Sequence, residues 1–486
     1  MSETGTGRRL GLSFGRALAA ITIAGAVLRL AFLARQPIGY DEDFTAVVLH
    51  QPLGRTLDVI GRDSAPPLFY LLEWLPAQIV ASPWALRLVP ALAGMALIPL
   101  VAALARRVGG DASALWAAAF VAVLPATVLL SDFARMYGLA GTLTVAATLL
   151  LWRATENPSL GRWAAYTAAA GAAVWTDYFA VVALAGIVLA GVWLRPSRRI
   201  AAAAVLATAA AAVTLTPWLL YARAQFEHAG QGFWISPLSP TVIAGTFGQI
   251  FGGPLQDSRI PFGPELIALQ LVALAAGCAA LAAAAVAWRR LSPESRRAGA
   301  FCLLSSSGIL ILVVVSFWRP LLEARYASIM WLPLFALAGV GLAAVPRRTA
   351  VTLVVALAVP ALALSVAITH SETSTLVPEL NARVGDHDLV AASPNHYLVL
   401  LDEAGPLTQA RLHVLAPEDP PWFDGTAAYP TGAVIHALPA DMTANGGRVF
   451  WVADPGATPP LLPAAYRSLE SRCVIGVCLT VYGQAG

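Results

Sequence analysis

Eleven apolar runs divide the first 370 residues, near 16–34, 84–105, 112–130, 138–152, 162–176, 178–194, 200–220, 264–288, 299–317, 327–345 and 349–369. A helix needs roughly 20 apolar residues to cross the hydrocarbon core, and in that core a backbone satisfies its hydrogen bonds only as a helix or a closed barrel. The runs therefore predict an all-α polytopic membrane domain with about 11 spans. Composition agrees: 12% of residues are charged, against about 25% in a soluble domain.

The arginines orient the spans. All 31 basic residues are arginine, and short cytoplasmic loops collect them. With the amino terminus inside, Arg8, Arg9, Arg16, Arg106, Arg107, Arg153, Arg162, Arg195, Arg198, Arg199, Arg289, Arg290, Arg296, Arg297, Arg347 and Arg348 all fall in inner loops. The acids fall opposite: Asp41, Glu42, Asp43, Asp58, Asp63, Glu73, Asp132, Asp177, Glu227, Asp257 and Glu323. The expectation is a multi-pass plasma-membrane protein with a cytoplasmic amino terminus and two long outer loops, 35–83 and 221–263. The first run is too long for a signal-peptide core of about 7–15 residues and is read as a retained span. Pro66 to Val80 is apolar too, but a crossing there would invert every later arginine. It is read as a helix along the outer interface, with Tyr70 and Trp74 at the depth aromatic side chains favour.

From about Ser371 the pattern changes. Asp388 to Ser393 and Arg448 to Val452 read as short buried strands between turn residues. The expected organisation is a transmembrane domain over 1–370 and an extracytoplasmic α/β domain over 371–486. Cys278 and Cys302 lie in apolar runs and read as small buried hydrophobes. Cys473 and Cys478 lie within reach of a turn in the tail, where the sequence leaves a disulfide open. The net charge of +3 is spread among loops and implies no nucleic-acid partner. No metal-ligand spacing, phosphate-binding glycine loop or nucleophile elbow is present in the sequence.

Four polar stretches share the acidic face: Gly39 to Phe44, Asp63 to Leu68, Ser131 to Tyr137 and Glu323 to Tyr326. Arg135 and Arg325 sit at headgroup depth, where a guanidinium fork matches phosphate oxygens and stays charged. A snorkelling arginine beside an anchoring tyrosine, or an Arg325–Glu323 pair, explains the same residues without chemistry. Asp41 and Glu42 are the carboxylates placed to take a proton from an acceptor hydroxyl. Asp132, Asp63 and Asp177 are candidate supports, although Asp177-Tyr178 also reads as the polar tip between two short spans. His370 reads as interfacial, and Glu227 and Asp257 carry no local signal.

Taken together, these residues resemble the GT-C superfamily of polyprenyl-phosphate-sugar-dependent glycosyltransferases, including bacterial relatives of protein mannosyltransferases and of the lipid A aminoarabinose transferase. The resemblance spans about 16–370. It rests on Asp41-Glu42, Pro66-Pro67-Leu68, Trp84-Ala85-Leu86-Arg87-Leu88, Ser131 to Tyr137 and Arg325-Tyr326, in that order. It implies a polyprenyl-phosphate sugar donor, a cell-envelope acceptor that is a glycan, lipid or protein, contact with membrane lipid, and inversion at the anomeric carbon. Asp41 would be the base with Glu42 beside it, and Arg135, Tyr137, Arg325 and Tyr326 would face the donor phosphate and lipid. Asp132-Phe133 stands where many relatives have Gln-Glu, and Asp177-Tyr178 where a His-Tyr pair is common. Some members use a divalent cation and others do not; the spacing here does not demand one, and Asp41 and Glu42 would hold it if one is bound. A transporter and a non-catalytic envelope scaffold are the competing readings. Acids at one face count against the transporter, since transporters place ionisable groups near the midplane. The scaffold would need its tail and not Asp41.

Overall fold

The computed structural model describes residues 4–484 except 34–35, 81, 229–233, 254–262, 369–370, 441–444, 458, 460–461 and 475. Phe233, Asp257 and His370 thus lie outside the described residues. The first part is a helical bundle and the last a small sheet domain. Among the described residues, seven helices are long and apolar enough to cross a membrane: Ser13–Leu33, Ala85–Val123, Arg198–Tyr221, Pro264–Arg290, Pro293–Val315, Ala324–Ala344 and Arg347–Ala367. The other runs fall in Tyr137–Glu156, Leu160–Thr176 and Ala180–Leu194, which are too short or too weakly apolar to join them, so the seven do not establish a count of eleven. Ala85–Val123 covers two of the runs. The chain reverses within it at Gly109 and Gly110, where Gly110 has φ of 74°, a left-handed conformation that favours glycine.

The end of the second limb shows how the bundle manages a break. Pro125 lacks the N–H that Val121 would otherwise receive, and the helix stops at Leu124 before restarting as Pro125–Ser131. Arg29, fully buried in the first span, supplies the missing donors. Its guanidinium reaches Val121 O at 3.2 Å, Ala122 O at 2.9 Å and Ser131 Oγ at 3.0 Å. Thr127 Oγ1 also donates to Val121 O, at 2.8 Å. A Cβ at Gly94 would strike Ser131 Oγ and approach Arg29 Nε, so the neighbouring helix passes closely only because that position is glycine.

The two long loops are largely helical. Residues 36–80 form Tyr40–Leu49, Leu53–Arg62 and Leu68–Ile79. The last exposes Leu71, Leu72, Leu75 and Ile79 and buries Glu73, whose carboxylate accepts from Val89 N at the start of the next helix. Burial, opposed by those backbone N–H groups, pushes Glu73 up to about 9. The folded state then holds a proton that the unfolded state releases near pH 4.3. Stability falls as pH rises between those values. Thermal unfolding in detergent should show a lower Tm at pH 9 than at pH 6, and Glu73→Gln should flatten that slope; an identical slope in both proteins would remove Glu73 as its source. In the second loop, Pro240–Gly252 is a helix capped by Ser239 Oγ accepting from Val242 N. The sequence reading missed it because glycines and aromatics conceal the buried face of Thr246, Gln249, Ile250 and Phe251.

The C-terminal domain carries a six-stranded sheet: β1 (Leu389–Ala392), β2 (Leu412–Leu415), β3 (Val434–Ile435), β4 (Val449–Ala453), β5 (Tyr466–Val474) and β6 (Val477–Gln484), in the order β3-β2-β1-β4-β6-β5. The first four strands are parallel and β6 runs antiparallel between β4 and β5. β1 and β4 are buried throughout, as continuous apolar strands between covering layers must be. Cys473 and Cys478 face each other across the β5–β6 hairpin and are disulfide-bonded. Cys302 is buried, whereas Cys278 lies on the exposed side of its helix, contrary to the sequence reading.

One apolar core joins this domain to the loop helices. Phe44, Val48, Tyr70 and Tyr137 pack in the same cluster as Leu376, Tyr397, Leu398 and Phe450, and Tyr40–Leu49 lies against Pro394–Glu403. The sheet domain is thereby held over the acidic end of the bundle.

Candidate active site

Helix Tyr40–Leu49 starts at Gly39 with a capping interaction, Gly39 N donating to Glu42 Oε2 at 3.2 Å. Three acids in its first turn suit the positive end of the helix dipole. Successive helical residues point about 100° apart, so the three acids go to different surroundings. Asp41 opens onto a cavity. Glu42 and Asp43 are fully buried.

Glu42 is enclosed by donors. Arg87 reaches its two oxygens through Nε and Nη2, both at 2.7 Å, and Ala134 N adds a third bond at 2.7 Å. The remaining contacts of Arg87 go to Gln36 O at 2.8 Å, Pro37 O at 2.7 Å and Leu33 O at 3.4 Å. This buried pair therefore ties the end of the first span, the start of the Asp41 helix and the Arg135 loop together. Glu42, expected as a catalytic carboxylate, does not line the cavity. The helix phase turns it toward Arg87 instead.

The cavity has a volume of about 540 Å³, within the range of small-molecule sites. Asp41, Asp63, Arg135, Tyr137, Arg325 and Tyr326 all line it, so the four polar stretches meet in one place. Arg325 Nη1 lies 2.5 Å from Asp41 Oδ2, and its guanidinium sits 4.7 Å over the Trp234 ring, a cation–π arrangement. Arg135 Nη1 donates to Asp41 O at 3.4 Å, and its guanidinium lies over Phe44 at 5.5 Å. Aromatic packing fixes the tyrosines: Tyr137 stacks with Phe133 at 6.3 Å, and Tyr326 with Phe179 at 4.4 Å. Burial raises Asp63 above the ordinary carboxylate range, against the opposing pull of Arg135 and Ser64.

Asp132 and Asp177 do not line the cavity. Asp132 is buried in the field of Arg29. Asp177 sits in the turn between two helices, its Oδ1 accepting from Phe179 N at 2.7 Å, and burial pushes it up to about 7. Tyr178 donates to Gln225 Oε1 at 2.6 Å and accepts from Trp218 Nε1 at 3.0 Å. Two contributions escaped the sequence reading. Arg87 appeared there only as part of a short motif, and the C-terminal domain lines the cavity with Glu372, Asn395, His396, Trp422, Phe423 and Asp424. The sequence offers no local signal for either.

A divalent cation shared by Asp41 and Glu42 does not fit this geometry, because the Glu42 oxygens are engaged by Arg87 and by backbone N–H groups. Among the described residues no three His, Cys, Asp or Glu side chains gather to hold an ion.

The family model described as dolichyl-phosphate-mannose-protein mannosyltransferase matches residues 64–221, about a third of the chain. No curated protein sequence matches. Among solved structures, apo ArnT from Cupriavidus metallidurans aligns with a TM-score of 0.63 at 12% identity, covering 97% of this chain and 98% of that one. ArnT bound to undecaprenyl phosphate aligns with a TM-score of 0.59 at 13% identity, covering 95% and 97%. The archaeal oligosaccharyltransferase AglB from Archaeoglobus fulgidus, in complex with an inhibitory peptide and a dolichol-phosphate, aligns with a TM-score of 0.52 at 13% identity, covering 82% and 65%. At these identities the likeness is one of fold.

Proposed function

The chain has the GT-C fold, and on that premise we infer that it is an integral-membrane glycosyltransferase. It moves one monosaccharide, a hexose or a pentose, from a polyprenyl-phosphate carrier to a cell-envelope acceptor, with inversion. The acidic end of the bundle and the sheet domain face the outside of the plasma membrane in this reading, and the amino terminus faces the cytoplasm, as the arginine distribution supports.

The observation that carries the reading is the meeting of Asp41 and Arg325, 284 residues apart in sequence, in one cavity. Asp41 takes the proton of the acceptor hydroxyl as its oxygen attacks the anomeric carbon. The bond from that carbon to the phosphate oxygen breaks, and the electron pair leaves with the polyprenyl phosphate. Arg325 and Arg135 stabilise the charge that builds on the leaving phosphate. The phosphate competes with Asp41 for Arg325, so donor binding draws the guanidinium from the carboxylate and restores its basicity.

The test uses purified full-length protein with radiolabelled polyprenyl-phosphate sugars in a membrane extract that supplies acceptors, beginning with mannose and arabinofuranose carriers. Release of carrier phosphate with transfer of label is expected from at least one hexose or pentose donor. Failure across the whole panel, by protein that remains folded, would reject the reading.

A further inference from the structure

The part of the cavity built by the C-terminal domain differs in charge from the part built by the bundle. Both lining arginines, Arg135 and Arg325, come from the bundle. Among the described residues the C-terminal domain adds carboxylates at Glu372 and Asp424, an aromatic pair at Trp422 and Phe423, and no lysine or arginine. Its one titratable nitrogen there is on His396. Burial lowers that imidazole below its ordinary value against the pull of Asp454, and its Nδ1 bonds Thr373 Oγ1 at 2.7 Å. Burial raises both Glu372 and Asp424, the charge of Asp454 adds to the rise at Glu372, and no cation among the described residues opposes it.

The aromatic segment is fixed beside Asp41. Gly425 holds φ of 73° after Asp424, and a Cβ there would strike Leu398 Cδ1 and crowd Phe44. The hydroxyls of Tyr40 and Tyr429 both donate to Asp424 O, at 3.4 and 3.3 Å. Since Tyr40 precedes Asp41, the Trp422–Asp424 turn is tied to the start of the helix that bears the carboxylate. Trp422 and Phe423 stand at 78° to each other with ring centres 5.9 Å apart.

An aromatic surface inside a cavity buries the apolar face of a ligand at little entropic cost, and adjacent carboxylates accept from hydroxyls. The same carboxylates repel an anion, and that repulsion discriminates against the wrong ligand. We propose that this surface is the acceptor subsite and that it takes an uncharged sugar, stacked on the Trp422 ring and flanked by Phe423, with hydroxyls donating to Asp424 or Glu372, while rejecting a phosphorylated acceptor. The proposal rests on the glycosyltransferase reading and adds the class of acceptor. Phosphate is drawn to the Arg135 and Arg325 side, which orients donor and acceptor oppositely across Asp41.

The experiment supplies full-length protein in nanodiscs with an active radiolabelled polyprenyl-phosphate sugar and three acceptor probes. These are methyl glycosides of mannose, galactose and arabinose, the 6-phosphates of the two hexosides, and a Ser/Thr-rich peptide. Label is expected on at least one glycoside, with kcat/KM for its 6-phosphate at least tenfold lower. Trp422→Ala should raise the glycoside KM at least tenfold while the donor KM stays within twofold, and Trp422→Phe should recover most of the loss. Preferential labelling of the peptide or of a phosphorylated glycoside would overturn the subsite, as would transfer to water alone or an unchanged glycoside KM in both Trp422→Ala and Phe423→Ala. In those cases carrier release persists and the reading beneath survives. Absence of carrier release with every donor and acceptor removes the reading itself, and the subsite with it.

Discussion

Asp41→Asn is expected to lower kcat for sugar transfer by about 10²–10⁴-fold, the usual contribution of a positioned general base, while the protein still folds. The substitution keeps the side-chain shape and removes only its charge and basicity. Its cost to stability is small because the Asp41–Arg325 pair is partly solvated, with the two side chains 33% and 19% exposed. A second consequence separates a base from a structural carboxylate. Asparagine holds Arg325 less strongly than aspartate does, so the donor phosphate meets less competition and the donor Kd should stay unchanged or fall. The check is single-turnover kinetics on a labelled polyprenyl-phosphate sugar, with donor binding measured separately. Transfer at the wild-type rate would exclude Asp41 as base, and loss of donor binding would assign it a structural role.

The bilayer made much of the fold legible in advance. Spanning helices are selected by hydropathy and arginines by sidedness, and both survive in one-dimensional sequence. The reversal at Gly109–Gly110 falls between two apolar runs for the same reason. Arg29 was illegible because its acceptors are created by Pro125, more than ninety residues away. The sheet domain was visible from two apolar strands, yet its contribution to the cavity was not, since a tertiary interface leaves no local period. Within the site, the sequence grouped Asp41, Asp63, Arg135, Tyr137, Arg325 and Tyr326 by order along the chain, and the cavity contains all six. Residue chemistry alone could not separate Asp41 from Glu42, and only the family resemblance favoured Asp41. Adjacent residues are told apart only by the phase of the helix that carries them, and in that phase Glu42 meets Arg87.

That separation leads to the second large effect. Arg87→Ala leaves Glu42 fully buried with its charge uncompensated, and breaking a buried pair from one side costs about 3–5 kcal/mol. It also removes donors from Leu33 O, Gln36 O and Pro37 O, so the join between the first span and the Asp41 helix loosens. A large drop in Tm in detergent, with reduced folded yield, is the expected result. Adding Glu42→Gln to Arg87→Ala should recover part of the loss, because the orphaned charge is gone while an amide oxygen can still accept from Ala134 N. Glu42→Gln alone should lower stability and leave kcat per folded molecule far above that of Asp41→Asn. A catalytic Glu42 would reverse that order. Equal Tm values for Arg87→Ala and the wild type would instead show that the buried pair contributes no stability, and would leave the direction in which Asp41 points to be set by the packing of Phe44 and Tyr40 against the sheet domain.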